Sequence, residues 1–415
     1  MNVKPSVIHT TRAIYAMNWY DISPGLIYIQ KAFSLTQVQL GILLTAFYIG
    51  VGIFQIPAGY ISTRIGNRNT ATIGILGLGI ASIISAASPT YSILVATRFF
   101  AGVSSAMFFS PAIGTLRSAT TDSTYNFHVN FFNGSFNLGA GIGVAGWEAI
   151  DSFEGFRAGF LIAGIITVAA AVAYFFTLRE VNEERIQLSP TRNLLNVLRN
   201  RGLWIYATAG TASVISENVA AQIVVYYMEK SLNVPAGLAS VSGTLFLVFG
   251  FVGGIVGGLL IGKFRNVKVF FIFTTILTSM LMIALAYFTN IYIIFAIVSI
   301  LGAVTVQGFS AIYIIITRSM KEKAQTTTSL SVVNAAQEIP GSIWPSIFSI
   351  ISGSIGFFAA WNIIGVVSLA FMFLVIIPAG GKGSGSGKNV RRNLNPASRK
   401  GKTRFVVEYA QECGV

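Results

Sequence analysis

Apolar stretches long enough to cross a lipid bilayer recur along this chain, and they constrain its fold more than any other feature. A bilayer core about 30 Å thick needs about 20 residues of α-helix, whose backbone groups bond within the segment. The sequence therefore predicts an all-α membrane protein with twelve transmembrane helices in two six-helix halves. The predicted spans are residues 11–33, 37–62, 70–88, 91–116, 127–150, 156–178, 202–229, 236–262, 267–289, 291–317, 325–352 and 354–378.

The composition agrees with a lipid environment. Hydrophobic residues make up 53% of the chain and charged residues 10%, whereas a soluble domain carries about 25% charged residues. The net charge of +14 fits basic loops on one membrane side, so no nucleic-acid partner is expected. Two histidines and one cysteine cannot form a metal cluster, and no metal or cofactor is expected. The first fifteen residues lack a short apolar core with a cleavage site, so no removable signal peptide is expected.

The distribution of Lys and Arg predicts the orientation. With the N-terminus inside, the outer loops hold only Lys31, Arg157 and Lys230. Basic loops face the cytoplasm, so we expect a multi-pass protein of the plasma membrane with both termini cytoplasmic. The inner loops hold many more basic residues: Arg64, Arg68, Arg117, Arg179, Arg185, Arg192, Arg199, Arg201, Lys263, Arg265, Lys268, Arg318, Lys321 and Lys323.

The longest internal polar stretch, residues 179–201, divides the chain into two bundles, 1–178 and 202–378. This stretch is either a helix on the membrane surface or a plain cytoplasmic linker. Residues 379–415 are rich in Gly, Ser and basic residues. Such a composition predicts a disordered cytoplasmic tail.

The two bundles look like repeats. "FNGSFNLGAGI" in the fifth span aligns with "VNAAQEIPGSI" in the eleventh, which matches Asn133 with Asn334 and Asn137 with Glu338. A similar offset of about two hundred residues matches Asp21 with Glu217. Paired repeats in a helical membrane protein indicate alternating access around a site near mid-membrane, between the halves.

The loop after the second span, "GYISTRIGNRNT", resembles the signature loop of the major facilitator superfamily, G-x-L-A-D-R-x-G-R-K. The resemblance implies a conformational-gate loop formed by Gly59, Arg64, Gly66 and Arg68. "GGLLIGKF" after the eighth span resembles the second copy of this loop. Thr63 and Gly262 stand where the family has Asp, so the acidic latch of the family is missing from both copies.

The fourth span, "LVATRFFAGVSSA", resembles the family motif L-x-x-x-R-x-x-x-G, with Arg98 and Gly102 in place. In the family this Arg is associated with proton-coupled members. "NLGAGIGVAG" in the fifth span resembles the glycine-rich antiporter motif, but Val144 stands where that motif has Pro. The resemblance implies a twelve-helix transporter and says nothing about its substrate.

Four ionisable residues stand out inside the predicted spans: Asp21, Arg98, Glu217 and Glu338. Charges at bilayer depth are costly and usually face a cavity or a partner. A rise of about 1.5 Å per residue places Asp21 about 15 Å and Arg98 about 18 Å from the inner edge. We therefore predict an Asp21–Arg98 contact. The pair is either a proton-linked gate or a permanent structural ion pair. The gate is possible because an acid that loses its Arg loses the charge that stabilises its ionised form and can then bind a proton.

A second polar group lies in the eleventh span. Asn334, Gln337 and Glu338 share one helical face by their spacing, and Pro340 predicts a bend near Ala336. Glu338 either lines a solute or ion site or only fixes packing between helices. The rest of the predicted pathway consists of Asn133, Asn137, Tyr20 and Trp344.

These features predict a secondary active transporter that moves a small solute across the bilayer and is coupled to protons. Three membrane acids against one Arg favour a cationic or neutral solute. The alternatives are an uncoupled facilitator of the same fold and, in a different class, a transporter-like receptor or scaffold. An enzyme is not expected, because neither a His/Cys catalytic cluster nor a nucleotide-binding motif is found in the sequence. We expect a monomer.

Overall fold

The computed structural model describes residues 3–181, 195, 198–261, 266–319 and 323–375. Within these ranges the chain is helical and contains no strand. Most of the predicted linker, Gly262 and the predicted tail lie outside the described residues. The helices are α1 Val3–Trp19, α2 Leu26–Phe33, α3 Gln37–Ile65, α4 Asn67–Ala86, α5 Tyr91–Ala119, α6 Asp122–Glu154, α7 Phe156–Thr177, α8 Arg201–Ile215, α9 Gln222–Leu232, α10 Ala236–Ile261, α11 Val267–Ala284, α12 Ile291–Ser319, α13 Lys323–Gly341, α14 Trp344–Ile355 and α15 Phe357–Met372.

Along the described chain these helices follow the twelve predicted spans in order. Seven of the helices are long and apolar enough by themselves to cross a membrane. Large apolar side chains lie on the outer surface, for example Ile165 at 55% and Phe176 at 60% exposure. An apolar outer surface of this kind suits lipid rather than water. The predicted all-α membrane fold is confirmed, and the bundle limits at 178 and 202 stay a prediction.

The two halves repeat the same helix packing. In the first half Gly102 of α5 lies against the carbonyl of Phe47 in α3, and in the second half Gly302 of α12 lies against the carbonyl of Phe246 in α10. In each case a Cβ atom would overlap the carbonyl oxygen. Glycine therefore permits the close backbone approach that stabilises helix pairs in lipid.

Other equivalent contacts fix the offset between the repeats. The Tyr15 hydroxyl donates to the Ser105 carbonyl at 3.3 Å, and the hydroxyls of Ser216 and Thr305 are 2.8 Å apart at the matching positions. These pairs are separated by about two hundred residues, and the same offset places Asp21 opposite Gln222. Matching Asp21 with Glu217 from the sequence was therefore wrong.

The ends of α3, α5 and α7 lie together on one side of the molecule, where Arg68 donates to the carbonyl of Leu178 at 3.5 Å. This side, which carries Arg64, Arg68 and Arg117, is called the basic side below. The opposite side, which carries Lys31, Arg157 and Lys230, is called the far side.

The halves meet along α6 and α10, and α3 contacts both α13 and α14. Hydroxyl pairs join the halves at two levels. Ser331 donates to Ser110 at 3.0 Å towards the basic side, and Thr45 and Ser346 are 2.8 Å apart towards the far side. The two halves therefore contact each other both towards the basic side and towards the far side.

Three of the twelve spans are not continuous α-helices. The first span breaks at residues 20–25, between α1 and α2, where Pro24 cannot donate a backbone hydrogen bond. The seventh contains a π-helical segment, Ser216–Ala221. The eleventh ends at Gly341 just after Pro340 and restarts at Trp344. The prediction of one helix over 11–33 was therefore wrong, and the bend expected near Ala336 is instead a break after Gly341.

We expect Gly102→Ala and, at the equivalent position, Gly302→Ala to destabilise the protein by about 1–3 kcal/mol each, the usual cost of overpacking. The thermal unfolding midpoint of the purified protein in detergent measures this loss. Gly146→Ala is the matched control, because a Cβ at Gly146 would meet no atom within 4 Å. Equal midpoints for all three variants would contradict the close backbone contact.

Candidate functional site

Asp21 and Arg98 form a two-pronged ion pair, as the helix-rise argument predicts. One guanidinium nitrogen donates to Oδ2 of Asp21 at 3.1 Å, and the other lies 3.0 Å from Oδ1. Both side chains are 1% exposed. The predicted contact is confirmed, and it lies where α1 has ended, so that the carboxylate can turn towards α5.

The surroundings of Arg98 complete its environment. It also donates to the carbonyl of Asn18 at 3.4 Å, which the end of α1 leaves without a helical partner. The guanidinium lies 5.1 Å from the ring centre of Phe47 and 5.4 Å from that of Phe160. Aromatic faces attract a cation electrostatically, so these rings stabilise a charge that water does not reach.

The acids of the second half face the first half. The Tyr20 hydroxyl, from the break after α1, donates to Oε1 of Glu217 in the π-helical segment at 3.1 Å. Tyr20 is fully buried, whereas Glu217 is partly exposed. A carboxylate of one half thus accepts a hydrogen bond from the other half near the middle of the predicted span.

Glu338 lies beside this contact. Asn218, in the π-helical segment, donates to Oε2 of Glu338 at 3.4 Å, and Glu338 is partly exposed. Gln222 donates across the interface to the carbonyl of Trp19 at 2.8 Å and to the hydroxyl of Tyr48 at 3.0 Å. Polar contacts therefore join the halves at the interruptions of the first and seventh spans, and Glu338 of the eleventh span is bonded to this polar layer through Asn218.

The structure divides the other predicted pathway residues. Gln337 is buried against Gly210 of α8, within its own half. Asn334 is buried one turn earlier on α13. Asn137 lies against Gly250 of α10, at the interface between the halves. Asn133 lies one turn from Asn137 on α6 and is exposed.

Trp344 is half-buried at the first residue of α14. Its indole N–H has no hydrogen-bond partner among the described residues. Tyr20, the other predicted aromatic residue, binds Glu217 rather than its neighbour Asp21. Trp344 therefore stays a predicted pathway residue, whereas Tyr20 joins the two halves.

The predicted gate loop is a tight link between α3 and α4. Gly66 has φ +89°, a conformation that favours glycine, and its N–H donates to the carbonyl of Ser62 at 3.0 Å. Arg64 donates to the Tyr60 hydroxyl at 2.7 Å. Gly59 faces Ser331 of α13, in the other half. Movement of one half against the other would therefore change the contacts at the start of this loop.

Sequence reasoning missed Arg12. The predicted first span began at residue 11, but α1 begins at Val3, which places Arg12 well inside the helix, where it is buried. Its charge reaches Glu217 electrostatically. The guanidinium lies within a box of aromatic rings, with ring-centre distances of 4.7 Å to Tyr15, 4.7 Å to Phe109, 4.9 Å to Phe132 and 4.5 Å to Phe136.

Sequence reasoning also missed three acids near the far side: Glu148, Asp151 and Glu229 are buried. They lie at or just beyond the ends of predicted spans, where acids are ordinarily solvated, so no sequence pattern indicated their burial. With Asp21, Glu217 and Glu338 they make six acids against the two buried cations Arg12 and Arg98 in the described chain. The earlier balance of three acids against one Arg was therefore incomplete, but its sign stands.

Comparison with known proteins shows which family has this architecture. A family model described as Major Facilitator Superfamily matches residues 8–220. The uncharacterized MFS-type transporter MJ1560 of Methanocaldococcus jannaschii is 24% identical over 187 residues, which cover 43% of this chain and 48% of that protein. The membrane sensor protein UhpC of Salmonella typhimurium is 23% identical over 252 residues, which cover 54% of this chain and 56% of that protein.

This chain therefore spans about half the length of the curated relatives it matches. Among solved structures, a bacterial homolog of the human lysosomal transporter Spinster, in an inward-facing and occupied conformation, superposes with a TM-score of 0.75. The match covers 90% of this chain and 96% of that one, at 14% identity. At this identity the likeness shows the fold alone.

We expect Arg98→Gln to destabilise the protein by about 3–5 kcal/mol, because it leaves the Asp21 carboxylate buried without a counter-charge. The double variant Asp21→Asn/Arg98→Gln should regain most of this loss. Thermal unfolding of the purified proteins in detergent measures both. The single variant Asp21→Asn completes the cycle. If the double variant loses as much stability as the two single variants together, the two side chains do not interact directly.

Proposed function

The chain belongs to the Major Facilitator Superfamily, and from this premise we propose that it is a secondary active transporter that moves a small solute across the membrane by alternating access. One observation carries the proposal most directly. Glu217 and Glu338 extend from the second half towards the first at mid-span, and both are partly exposed. Acids at bilayer depth are costly, which favours a function for them.

The polar layer supplies the parts that alternating access needs. Tyr20 and Glu217, and likewise Gln222 and Tyr48, are bonded across the interface. Separation of the halves on either side breaks such bonds and frees the carboxylates for a solute or for protons. The helix interruptions beside Asp21, Glu217 and Glu338 leave backbone groups that can bind the solute, as broken helices do in transporters.

The position of Asp21 supports the proposed coupling to protons. Asp21 is the next residue after Tyr20, in the same non-helical segment. When Tyr20 leaves Glu217, the segment can move and draw Asp21 from Arg98. A carboxylate parted from its cation binds a proton more readily. Under this proposal solute release and protonation are linked through two adjacent side chains, and the basic side faces the cytoplasm of the cell, as positive loops do.

The charges favour a cationic or neutral solute. Four buried acids and the partly exposed Glu217 and Glu338, against two buried cations, leave the interior of the described chain negative. A negative cavity raises the local concentration of cations and repels anions. The solute then shares the acids with protons, which is the usual basis of competition between the two.

A second candidate function is solute sensing without transport. It is favoured by the similarity to the membrane sensor protein UhpC over 54% of this chain. Under this alternative the same polar layer binds a solute, and the halves move without releasing it on the other side.

We expect Glu338→Gln to abolish uphill accumulation of solute in proteoliposomes with an imposed pH gradient, while downhill exchange survives. The neutral side chain keeps the shape and removes the proton-binding group. The solute is first found by a thermal-shift screen, because a ligand that binds only the folded state raises apparent stability. Glu154→Gln is the matched control, since Glu154 is exposed at the end of α6.

Two results would contradict this mechanism. Uphill accumulation retained in Glu338→Gln would remove Glu338 from the coupling. A pH gradient without effect on the unmodified protein would indicate an uncoupled facilitator.

Sensor and transporter differ in one measurement. The measurement is uptake into proteoliposomes of the solute that stabilises the protein in detergent. For a transporter, this uptake is saturable and the solute accumulates inside the vesicles. A stabilising solute that never enters the vesicles, with the protein correctly reconstituted in both orientations, would favour the sensor.

A further inference from the structure

We propose that a cleft on the far side, between the end of α6 and the start of α10, binds an organic cation: a protonated amine that carries an apolar group. The inference rests on the proposed function, because it names the solute class and the place where the solute first binds. The cleft is separate from the polar layer at mid-span, and none of the predicted pathway residues named above lines it.

The cleft has a volume of about 470 Å³. Its polar wall is formed by Tyr28 of α2, by Glu148 and Ser152 of α6, and by Ser240 and Thr244 of α10. It therefore has space for a ligand of several carbon atoms and brings together groups from both halves. A site shared by the halves can report their relative position.

Glu148 supplies the charge that faces the cleft. It is only 4% exposed. Its Oε1 accepts a hydrogen bond from the Tyr28 hydroxyl at 3.3 Å, and its Oε2 has no hydrogen-bond partner among the described residues. A buried carboxylate oxygen without a donor is costly. An ammonium group in the cleft would supply the missing donors.

Two more acids strengthen the negative charge. Asp151 follows Glu148 on α6 at 2% exposure, and Glu229 comes from α9 of the other half at 8% exposure. Each has one carboxylate oxygen that lacks a hydrogen-bond partner in the described part of the chain. Within that part, no Lys or Arg side chain lies within 4.0 Å of any of the three acids.

The cations nearby do not neutralise this group. Lys31 is exposed, although its charge attracts Glu229, and Lys230 is exposed as well. Arg157 points elsewhere: it donates to the carbonyl of Ala86 at 2.8 Å and lies over the rings of Phe33 and Phe156. The start of α10 contributes no charged residue. The cleft therefore keeps a net negative charge.

The remaining wall is apolar and selects an organic ligand. Ala145, Val241 and Leu245 line the cleft beside the polar groups. An inorganic cation would leave these surfaces in contact with water, whereas the apolar part of an amine would bury them, which is favourable. The cleft also lies near the end of α6 and the start of α10, on the far side, where a ligand can enter it from outside the helix bundle.

A polar face of α9 runs towards the central layer, and Glu229 at its far-side end lies within electrostatic range of Glu148 in the cleft. Gln222, Tyr226 and Glu229 share one face of this helix by their spacing. Tyr226 donates to Gln30 of α2 at 3.0 Å, so this face runs along the interface between the halves. A cation held at Glu229 is thus two helical turns from Gln222 and the contact of Glu217 with Tyr20.

The test compares two probes of nearly equal size, phenethylamine and its neutral analogue 2-phenylethanol. Binding to the full chain in lipid nanodiscs is measured by calorimetry, with empty nanodiscs to subtract partitioning into lipid. We expect saturable binding of phenethylamine alone. Glu148→Gln should weaken it at least about ten-fold, the effect of losing one hydrogen bond to a charged group. Glu154→Gln should leave it unchanged.

Three outcomes would overturn the proposal. The first is equal binding of the two probes, or none of either. The second is unaltered affinity in Glu148→Gln, with the variant shown to be folded by its unfolding midpoint. The third is displacement of phenethylamine by an equal concentration of Na⁺ or K⁺, which would indicate an unselective cation site.

Glu338→Gln separates this inference from the proposed function. If this variant loses uphill transport but still binds phenethylamine, both proposals hold. Amine binding lost in Glu338→Gln and kept in Glu148→Gln would move the amine to the central layer, so the inference would fail while the proposed function stands. If amine binding depends on Glu148 but the protein transports no solute, the cleft remains a binding site and the proposed transporter function fails.

Discussion

The ion pair of Asp21 and Arg98 is the interaction on which the centre of the molecule depends. Each charge is almost fully removed from water, and in such surroundings either one alone would cost several kcal/mol. The pair is satisfied only because α1 ends at Trp19 and lets the chain turn Asp21 towards α5. The same break directs Tyr20 to the other half. One interruption of a helix therefore holds an ion pair within a half and a hydrogen bond between the halves.

The second half lacks this ion pair, and the difference gives the molecule its asymmetry. At the equivalent positions Gln222 replaces Asp21 and Val298 replaces Arg98. The acids of the second half, Glu217 and Glu338, instead accept from the neutral donors Tyr20 and Asn218. A hydrogen bond from a neutral donor leaves the acid without a counter-charge, so this donor can be exchanged for a cationic ligand or a proton. The first half thus fixes its charges, and the second half presents them at the interface.

The two sides of the molecule also differ in charge. Arg64, Arg68 and Arg117 lie on the basic side, whereas Glu148, Asp151 and Glu229 are buried towards the far side. A cation that arrives from the far side meets acids first at the cleft and then at mid-span. This order supports both proposals, because the acids near the far side concentrate the solute that the central acids are proposed to move.

The sequence by itself determined the helical membrane fold and the twofold repeat. Bilayer thickness and helix rise are fixed lengths, so they also predicted the level of Asp21 and Arg98, and Pro340 marked the region of one interruption. Only the tertiary structure decided which partner each acid takes. It bonded Tyr20 to Glu217, placed Gln337 against Gly210, and buried Arg12, Glu148, Asp151 and Glu229. Hydropathy and periodicity describe one helix at a time. These contacts instead join helices far apart in the chain and depend on how the helices pack.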